Sequence, residues 1–160
     1  MTVIAAVLTR AGGAIVAADS LVAKESGETF PAPKLLRTKQ GIAAASGDGE
    51  ACQIFLDWQL HGGDVKKRPR MKASWDWSGI LVTRDKILDF DGILPFPDQV
   101  KRPFHAIGAG ADAALAVMAY QALKFLPLDP VEAIEAVIEI HHHCGGPVDF
   151  LTLRPPKKGA

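Results

Sequence analysis

The chain has 160 residues, 48% of them hydrophobic, and its 18 Lys and Arg balance its 18 Asp and Glu. This length fits one domain with a sizeable core. The formal net charge of zero argues against nucleic acid or a membrane surface as a partner, because both are bound through an excess of basic residues. Two cysteines, Cys52 and Cys144, are too few for a disulfide framework.

The N-terminal stretch lacks the features of a secretory leader. No basic region precedes its apolar residues, and Arg10 interrupts them early. No apolar run reaches the length that spans a membrane. We therefore expect a cytoplasmic protein in a reducing compartment.

The chain begins with apolar segments that predict four strands. The first two form a hairpin because the turn Ala11-Gly12-Gly13 separates them. A polar stretch that contains Gly and Pro, residues 20–33, is predicted as a loop. The predicted strands are residues 2–10, 14–18, 34–38 and 42–45.

One helix is predicted in the middle of the chain, over residues 49–61. Its apolar residues recur at the spacing of one helical face, and Gly62-Gly63 ends it. The basic, Pro-containing residues 64–72 are predicted as a solvated connector. The apolar residues that carry the helical spacing are Ala51, Ile54, Phe55 and Trp58.

The second half of the chain is predicted to hold a hairpin, a short strand, two adjacent helices and a last strand. The second of these helices begins at Asp129 as its cap, with Pro130 in the first position and Glu132 in the third, a capping-box arrangement. The predicted strands are 80–83, 87–90, 104–107 and 148–153, the helices are 111–125 and 130–142, and residues 91–102 are a loop.

This order of elements predicts the fold class. No strand–helix–strand rhythm appears, which disfavours a parallel sheet. Strands that mix apolar runs with alternation, and helices for two outer faces, predict an α+β protein. We expect a four-layer αββα sandwich of two antiparallel sheets, with one domain over residues 1–154 and a C-terminal tail over 155–160.

The first two residues raise a chemical possibility. Removal of Met1 leaves Thr2 with a hydroxyl and a free α-amine on one residue, which is a nucleophile with its own base. An α-amine titrates near neutral pH, so part of it is free to accept a proton there.

Six short segments further along the chain follow one another in a specific order. They are Thr2-Val3-Ile4-Ala5-Ala6-Val7, Ile15-Val16-Ala17-Ala18-Asp19-Ser20, Lys34, the run from Gly41 to Ala51, the run from Ala106 to Gly110, and the run from Gly145 to Leu153. Together they resemble the proteasome β-type subunits and the HslV peptidase, which are N-terminal nucleophile hydrolases. The resemblance spans nearly the whole chain.

The resemblance implies a role for five residues. Thr2 matches the nucleophile, Lys34 matches the active-site lysine, and Asp19 matches the acid that pairs with this lysine. The backbone amide of Ser46 or of Gly47 matches the oxyanion donor, and the sequence does not choose between them. The chemistry is coherent, since an ammonium near the hydroxyl favours its alkoxide and a backbone N–H stabilises the tetrahedral oxyanion.

Three supporting positions depart from the family pattern. Ala109 stands where the family has a Ser, and His141 and Cys144 stand where proteasome subunits have an Asp and a Ser. In the family these polar groups help orient the terminal amine and the lysine, so the rate and the pH optimum are expected to differ. The chain also has one helix between Ser46 and the strand at residue 80, where the family commonly has two, so the contacts between subunits are expected to differ.

The run His141-His142-His143-Cys144 has the residue types of a metal site. Consecutive helical residues point about 100° apart and cannot all face one ion. We therefore predict no metal, and the resemblance implies no other cofactor.

The resemblance leaves three functions open. The first is a threonine peptidase that cleaves polypeptide inside a homo-oligomeric ring or stacked rings, with an ATP-dependent unfoldase as a further partner. The second is an amidohydrolase that acts on a small amide with the same nucleophile. The third is a non-catalytic ring or scaffold protein. An oligomer is also expected from the helices, whose apolar residues cover more than one face.

Overall fold

The computed structural model of the chain describes residues 2–23, 29–31, 33–92 and 97–156. Within these residues it has three α-helices, one 3₁₀ turn and eleven strands. The helices are α1 (Gly49–Leu60), α2 (Ala111–Leu123) and α3 (Pro130–Ile140), and the 3₁₀ turn is Val65–Lys67. The strands are β1 (Val3–Leu8), β2 (Ala14–Asp19), β3 (Leu21–Ala23), β4 (Thr29–Pro31), β5 (Leu35–Arg37), β6 (Ile42–Gly47), β7 (Trp77–Val82), β8 (Ile87–Asp91), β9 (Asp98–Gln99), β10 (Phe104–Gly108) and β11 (Val148–Leu153).

Two antiparallel sheets form the centre of the molecule. One has the strand order β10-β1-β2-β11 and the other has the order β5-β6-β7-β8-β9, and β3 pairs with β4 in a separate two-stranded sheet. Every strand pairing is antiparallel. The predicted α+β sandwich of two antiparallel sheets is therefore confirmed.

Strand β1 shows how the layers are built. Its alternate residues face opposite sides of the sheet: Ile4 packs between the two sheets, whereas Val3 and Val7 pack under α2 and α3. All three are buried, which explains why this strand is apolar throughout rather than alternating. The layers are thus α2 and α3, the first sheet, the second sheet and α1.

Helix α1 covers the second sheet through an aromatic cluster. Asp48 begins the helix by accepting hydrogen bonds from the amides of Glu50 and Ala51. Phe55 is fully buried, and its ring centroid lies 5.4 Å from that of Trp77 and 5.1 Å from that of Phe90. The helix ends at Leu60, close to its predicted end.

The junction of α2 and α3 differs from the predicted capping box. The Asp129 carboxylate accepts from the amides of Val131 and Glu132, as expected of a helix cap. The Glu132 carboxylate does not return to the Asp129 amide but accepts from Gln121 Nε2 at 2.9 Å, and Gln121 Oε1 accepts from the Asp129 amide at 3.0 Å. A buried glutamine of α2 therefore stands between the two halves of the box.

Several element boundaries from sequence were wrong. The predicted loop 20–33 contains β3 and β4, and the predicted loop 91–102 contains β9. These strands are only two or three residues long and are formed by pairing with a neighbour, which local composition does not reveal. Helices α2 and α3 end two residues before their predicted ends.

The connector 64–72 holds no second helix beyond the 3₁₀ turn Val65–Lys67. No helix among the described residues is long and apolar enough to cross a membrane. The division into a domain over 1–154 and a tail over 155–160 stays a prediction.

Candidate active site

A cleft of about 740 Å³ opens at one end of the space between the sheets. Its position follows from the strand register, since Gly108 pairs with Val3 at the end of β1, and Ser46 pairs with Ser78 at the ends of β6 and β7. The described residues that line the cleft are Thr2, Val22, Ser46, Gly47, Asp48, Ser74, Asp76, Trp77, Ser78, Gly108 and Ala109.

Asp19 is the buried acceptor beside this cleft. It ends β2 and is fully buried. Its Oδ1 accepts from the Val3 amide at 2.9 Å and from Lys34 Nζ at 2.9 Å, and its Oδ2 accepts from the Gly145 amide at 3.2 Å. One carboxylate therefore joins the residue after Thr2, the segment before β5 and the segment before β11.

Lys34 lies just before β5 and is 8% exposed. Besides Asp19, its Nζ donates to the carbonyl oxygen of Leu21 at 2.6 Å. Burial lowers the pKa of Lys34, and the hydrogen bond and negative charge of Asp19 oppose that shift. The lysine is thus held by two oxygen acceptors in one orientation.

The two candidate oxyanion amides point in opposite directions. The Asp48 amide donates to the Asp76 carbonyl oxygen at 2.8 Å, which continues the ladder between β6 and β7. Because amides alternate in direction along an antiparallel strand, the Ser46 amide also points toward β7 and the Gly47 amide points away. On that side β5 begins at Leu35, opposite Ala44, so no described strand pairs with β6 beside Gly47.

Two glycines are required by the geometry of the cleft wall. Gly47 has a φ of 113°, and a Cβ there would lie 2.2 Å from the Asp76 carbonyl oxygen. Gly108 has a φ of 93°, and a Cβ there would lie 2.1 Å from the Thr2 carbonyl oxygen and 2.7 Å from Ser46 Oγ. Any side chain at either position would separate the strands that bring Thr2 and Ser46 to one cleft.

The three supporting positions lie at or near the same site. Ala109 lines the cleft. Cys144 is 5% exposed, and its Sγ lies 3.8 Å from His141 Nδ1. Burial and the charge of Asp19 raise the pKa of the Cys144 thiol. Across the described ranges, no group of three or more His, Cys, Asp and Glu side chains is arranged to hold a metal.

Some residues of the site carried no assigned role from sequence. The Leu21 carbonyl lies in a stretch predicted as loop, so nothing marked it as an acceptor. The Gly145 amide lies in the matched C-terminal run, but a backbone donor leaves no signal in residue type. Asp76 and Ser78 reach the cleft only because β7 begins at Trp77, three residues before its predicted start.

The fold is similar to that of solved structures over almost the whole chain. The chain is similar to BPH from Thiobacillus denitrificans in complex with epoxomicin, with a TM-score of 0.71, 18% identity, and coverage of 96% of this chain and 99% of that chain. For BPH without that compound the TM-score is 0.70, at 18% identity and the same coverage. For the eukaryotic HslV from Trypanosoma brucei the TM-score is 0.69, at 18% identity, with 95% of this chain and 98% of that chain covered.

Sequence comparison adds no further relative, since no family model and no curated protein matches the chain. The likeness therefore lies in the arrangement of the strands and helices. The stacked antiparallel sheets, the helices on both outer faces and the matching length all agree with these neighbours. The chain has the αββα fold of the HslV- and proteasome-type proteins.

Proposed function

We propose that this protein is a threonine peptidase of the proteasome and HslV kind, with Thr2 as its N-terminal nucleophile. The observation that carries the proposal is the buried pair of Asp19 and Lys34, which is hydrogen-bonded to the amide of Val3 beside the cleft that Thr2 lines. A charged pair this deeply buried, next to a cleft, is typical of a functional site.

The proposed reaction begins after Met1 is removed. The α-amine of Thr2 accepts the proton of the Thr2 hydroxyl, and Oγ1 attacks the carbonyl carbon of the peptide bond. The tetrahedral intermediate then collapses, its C–N bond breaks, and the leaving amine takes the proton from the α-ammonium. Water attacks the resulting ester with the α-amine again as base, which releases the second product and restores Thr2.

Two groups are proposed to stabilise charge in these steps. The Lys34 ammonium, held by Asp19 and the Leu21 carbonyl, favours the alkoxide of Thr2. The Gly47 amide, rather than the Ser46 amide, is proposed as the oxyanion donor because it points away from β7 at the cleft. A donor of this kind contributes about 3–4 kcal/mol to transition-state stabilisation in comparable enzymes.

A peptide fits this cleft better than a small amide. Strand β6 continues to Gly47 beyond the point where β5 pairs with it, and Val22 of β3 also lines the cleft. An extended peptide can pair with such strand edges through its main chain. We therefore favour a polypeptide substrate over the small-amide alternative.

A homo-oligomeric ring is part of the proposal. Large apolar side chains stay exposed on the outer helices and the loop after α2, notably Leu123 at 77%, Phe125 at 87% and Ile140 at 70%. Exposed apolar patches of this kind mark interaction surfaces. We also propose that the protein is cytoplasmic and that it receives its substrate from an ATP-dependent unfoldase. A mass near 17.1 kDa, that of a single chain, by light scattering at micromolar concentration would contradict the ring.

The test of the nucleophile is the Thr2→Ala variant. We expect intact mass spectrometry to show a wild-type chain without Met1, and we expect the Ala variant to lose hydrolysis of unfolded casein because its hydroxyl is gone. Thr2→Ser keeps a hydroxyl and should keep measurable activity. Thr152→Ala, an exposed threonine on β11, is the matched control and should behave as wild type. Undiminished hydrolysis by Thr2→Ala would refute the proposal.

A further inference from the structure

The wall of the cleft carries two carboxylates. Asp48 and Asp76 both line it, and they stand opposite each other because the Asp48 amide donates to the Asp76 carbonyl oxygen at 2.8 Å. Two carboxylates on one wall repel each other, and a cation bound between them would relieve that repulsion.

No such cation is supplied by the described wall. None of the described lining residues is Lys, Arg or His. Lys72 lies outside this lining, pairs with Glu50 at 3.4 Å and lies over the Trp75 ring at 4.5 Å. Asp48 uses Oδ1 to cap α1, while the Asp76 side chain has no hydrogen bond or ion pair with a described residue.

A third polar group in the cleft is also left for a ligand. Ser46 is 6% exposed, lines the cleft, and its Oγ has no hydrogen-bond partner among the described residues. Ser46 pairs with Ser78 at the ends of β6 and β7, and both residues line the same cleft as Asp48 and Asp76. A buried hydroxyl with no described partner thus lines the same cleft as the two carboxylates and Thr2.

We infer that this cleft selects peptides with a Lys or Arg side chain close to the bond that is cleaved. The ammonium or guanidinium would lie between the carboxylates of Asp48 and Asp76, and the main chain would remain beside Ser46 and Gly47. A cleft lined by charge of one sign also attracts oppositely charged ligands over a distance. This inference names the substrate class of the site in the proposed function and rests on it.

The test measures binding separately from cleavage. Fluorescence anisotropy with the Thr2→Ala variant, in EDTA to exclude divalent cations, would compare three labelled octapeptides that differ only at one central residue: Lys, Leu or Glu. We expect the Lys peptide to bind about tenfold more tightly than the Glu peptide at low salt. The preference should fall to about twofold in 0.5 M NaCl, because partly exposed charges are screened.

Charge variants assign the preference to the two carboxylates. Asp76→Asn should reduce it to about threefold, and Asp76→Lys should reverse it in favour of the Glu peptide. Asp48→Asn also lowers the preference while keeping the helix cap, since Asn caps as well as Asp. Glu135→Gln removes an exposed carboxylate on α3, outside the cleft, and should leave the preference unchanged.

The outcomes separate this inference from the proposed function. Equal binding of the three peptides, or a preference that survives Asp76→Lys, would overturn the inference even if the wild-type protein cleaves peptides. A Lys preference that reverses with Asp76→Lys supports the inference even if the wild-type protein cleaves none of them.

Discussion

Two buried polar networks in this molecule look alike but differ in where they place charge. The Asp19 network joins Asp19 and Lys34 to the amides of Val3 and Gly145. The Gln121 network joins Gln121 to Glu132 and to the Asp129 amide. In the first, the acid is fully buried and the base 8% exposed; in the second, only the neutral glutamine is buried, at 3%.

The difference shows what each network contributes. Replacing a buried ion pair by well-packed apolar residues is often neutral or stabilising, so stability alone does not explain the Asp19 network. The Gln121 network places no charge in the interior and satisfies groups at a helix start, where amides otherwise lack partners. The first network therefore fits a chemical role at the cleft, and the second fits a role in holding α2 against α3.

The largest expected effect comes from breaking the Asp19 network at its lysine. Lys34→Ala should lower peptide hydrolysis by about 100-fold or more, because it removes the charge proposed to stabilise the Thr2 alkoxide. It should also lower the free energy of unfolding by about 3–5 kcal/mol, since it leaves Asp19 buried without its partner. Steady-state hydrolysis and urea unfolding measure the two effects.

The matched substitution is Lys34→Arg, which keeps the positive charge but replaces a compact ammonium with a larger, planar guanidinium. It should recover part of the unfolding free energy without recovering activity. Near-normal hydrolysis by the Arg variant would show that the ammonium is not positioned against Thr2.

A smaller effect is expected from the Gln121 network. Asp129→Ala should lower the free energy of unfolding by about 1 kcal/mol, because the amides of Val131 and Glu132 lose their cap. Peptide hydrolysis should stay unchanged. Urea unfolding and a hydrolysis assay of the same preparation check both statements, with Asp129→Asn as the control that keeps the cap. Loss of activity with an intact fold would contradict the division between the networks.

The smallest expected effect is a change in the reactivity of the Cys144 thiol when the charge of Asp19 is removed. Burial and Asp19 both raise the pKa of Cys144, and burial raises the pKa of Cys52 to about 11. Asp19→Asn removes a negative charge, so the pKa of Cys144 should fall and its thiolate fraction at pH 8 should rise. Alkylation of Cys144 by iodoacetamide, followed by peptide mass mapping, should become severalfold faster.

Cys52 serves as the internal reference in this experiment, because Asp19 is not among the charges that raise its pKa. A parallel rise in the alkylation of both cysteines would mean that the fold has loosened and that the change at Cys144 is not electrostatic.

Parts of the fold could be read from local patterns. The helix at Gly49–Leu60 was predicted within one residue, because its spacing of apolar residues and the glycines after it are local signals. The short strands β3, β4 and β9 were missed, since each forms only by pairing with a neighbour. The cap at Asp129 was predicted, but the insertion of Gln121 was not, because it comes from another helix.

The candidate site was likewise predicted only in part from the sequence. The resemblance named Thr2, Asp19 and Lys34, and the structure brings Asp19 into contact with Lys34 and with the residue after Thr2. The resemblance could not choose between the amides of Ser46 and Gly47 as the oxyanion donor. Residue types do not encode the direction of an amide, which follows from the register of β6 with β7.

The sequence by itself determined the antiparallel αββα architecture, the order of its main elements and the residue types of the candidate site. The tertiary structure decided which backbone groups hold Lys34 and Asp19, which amide points away from β7, and that Asp48 and Asp76 line the cleft with Thr2. The physical reason is that periodicity and capping act between residues a few positions apart. The cleft is formed by strand pairs whose members lie far apart in the chain, and only their register sets which groups face one another.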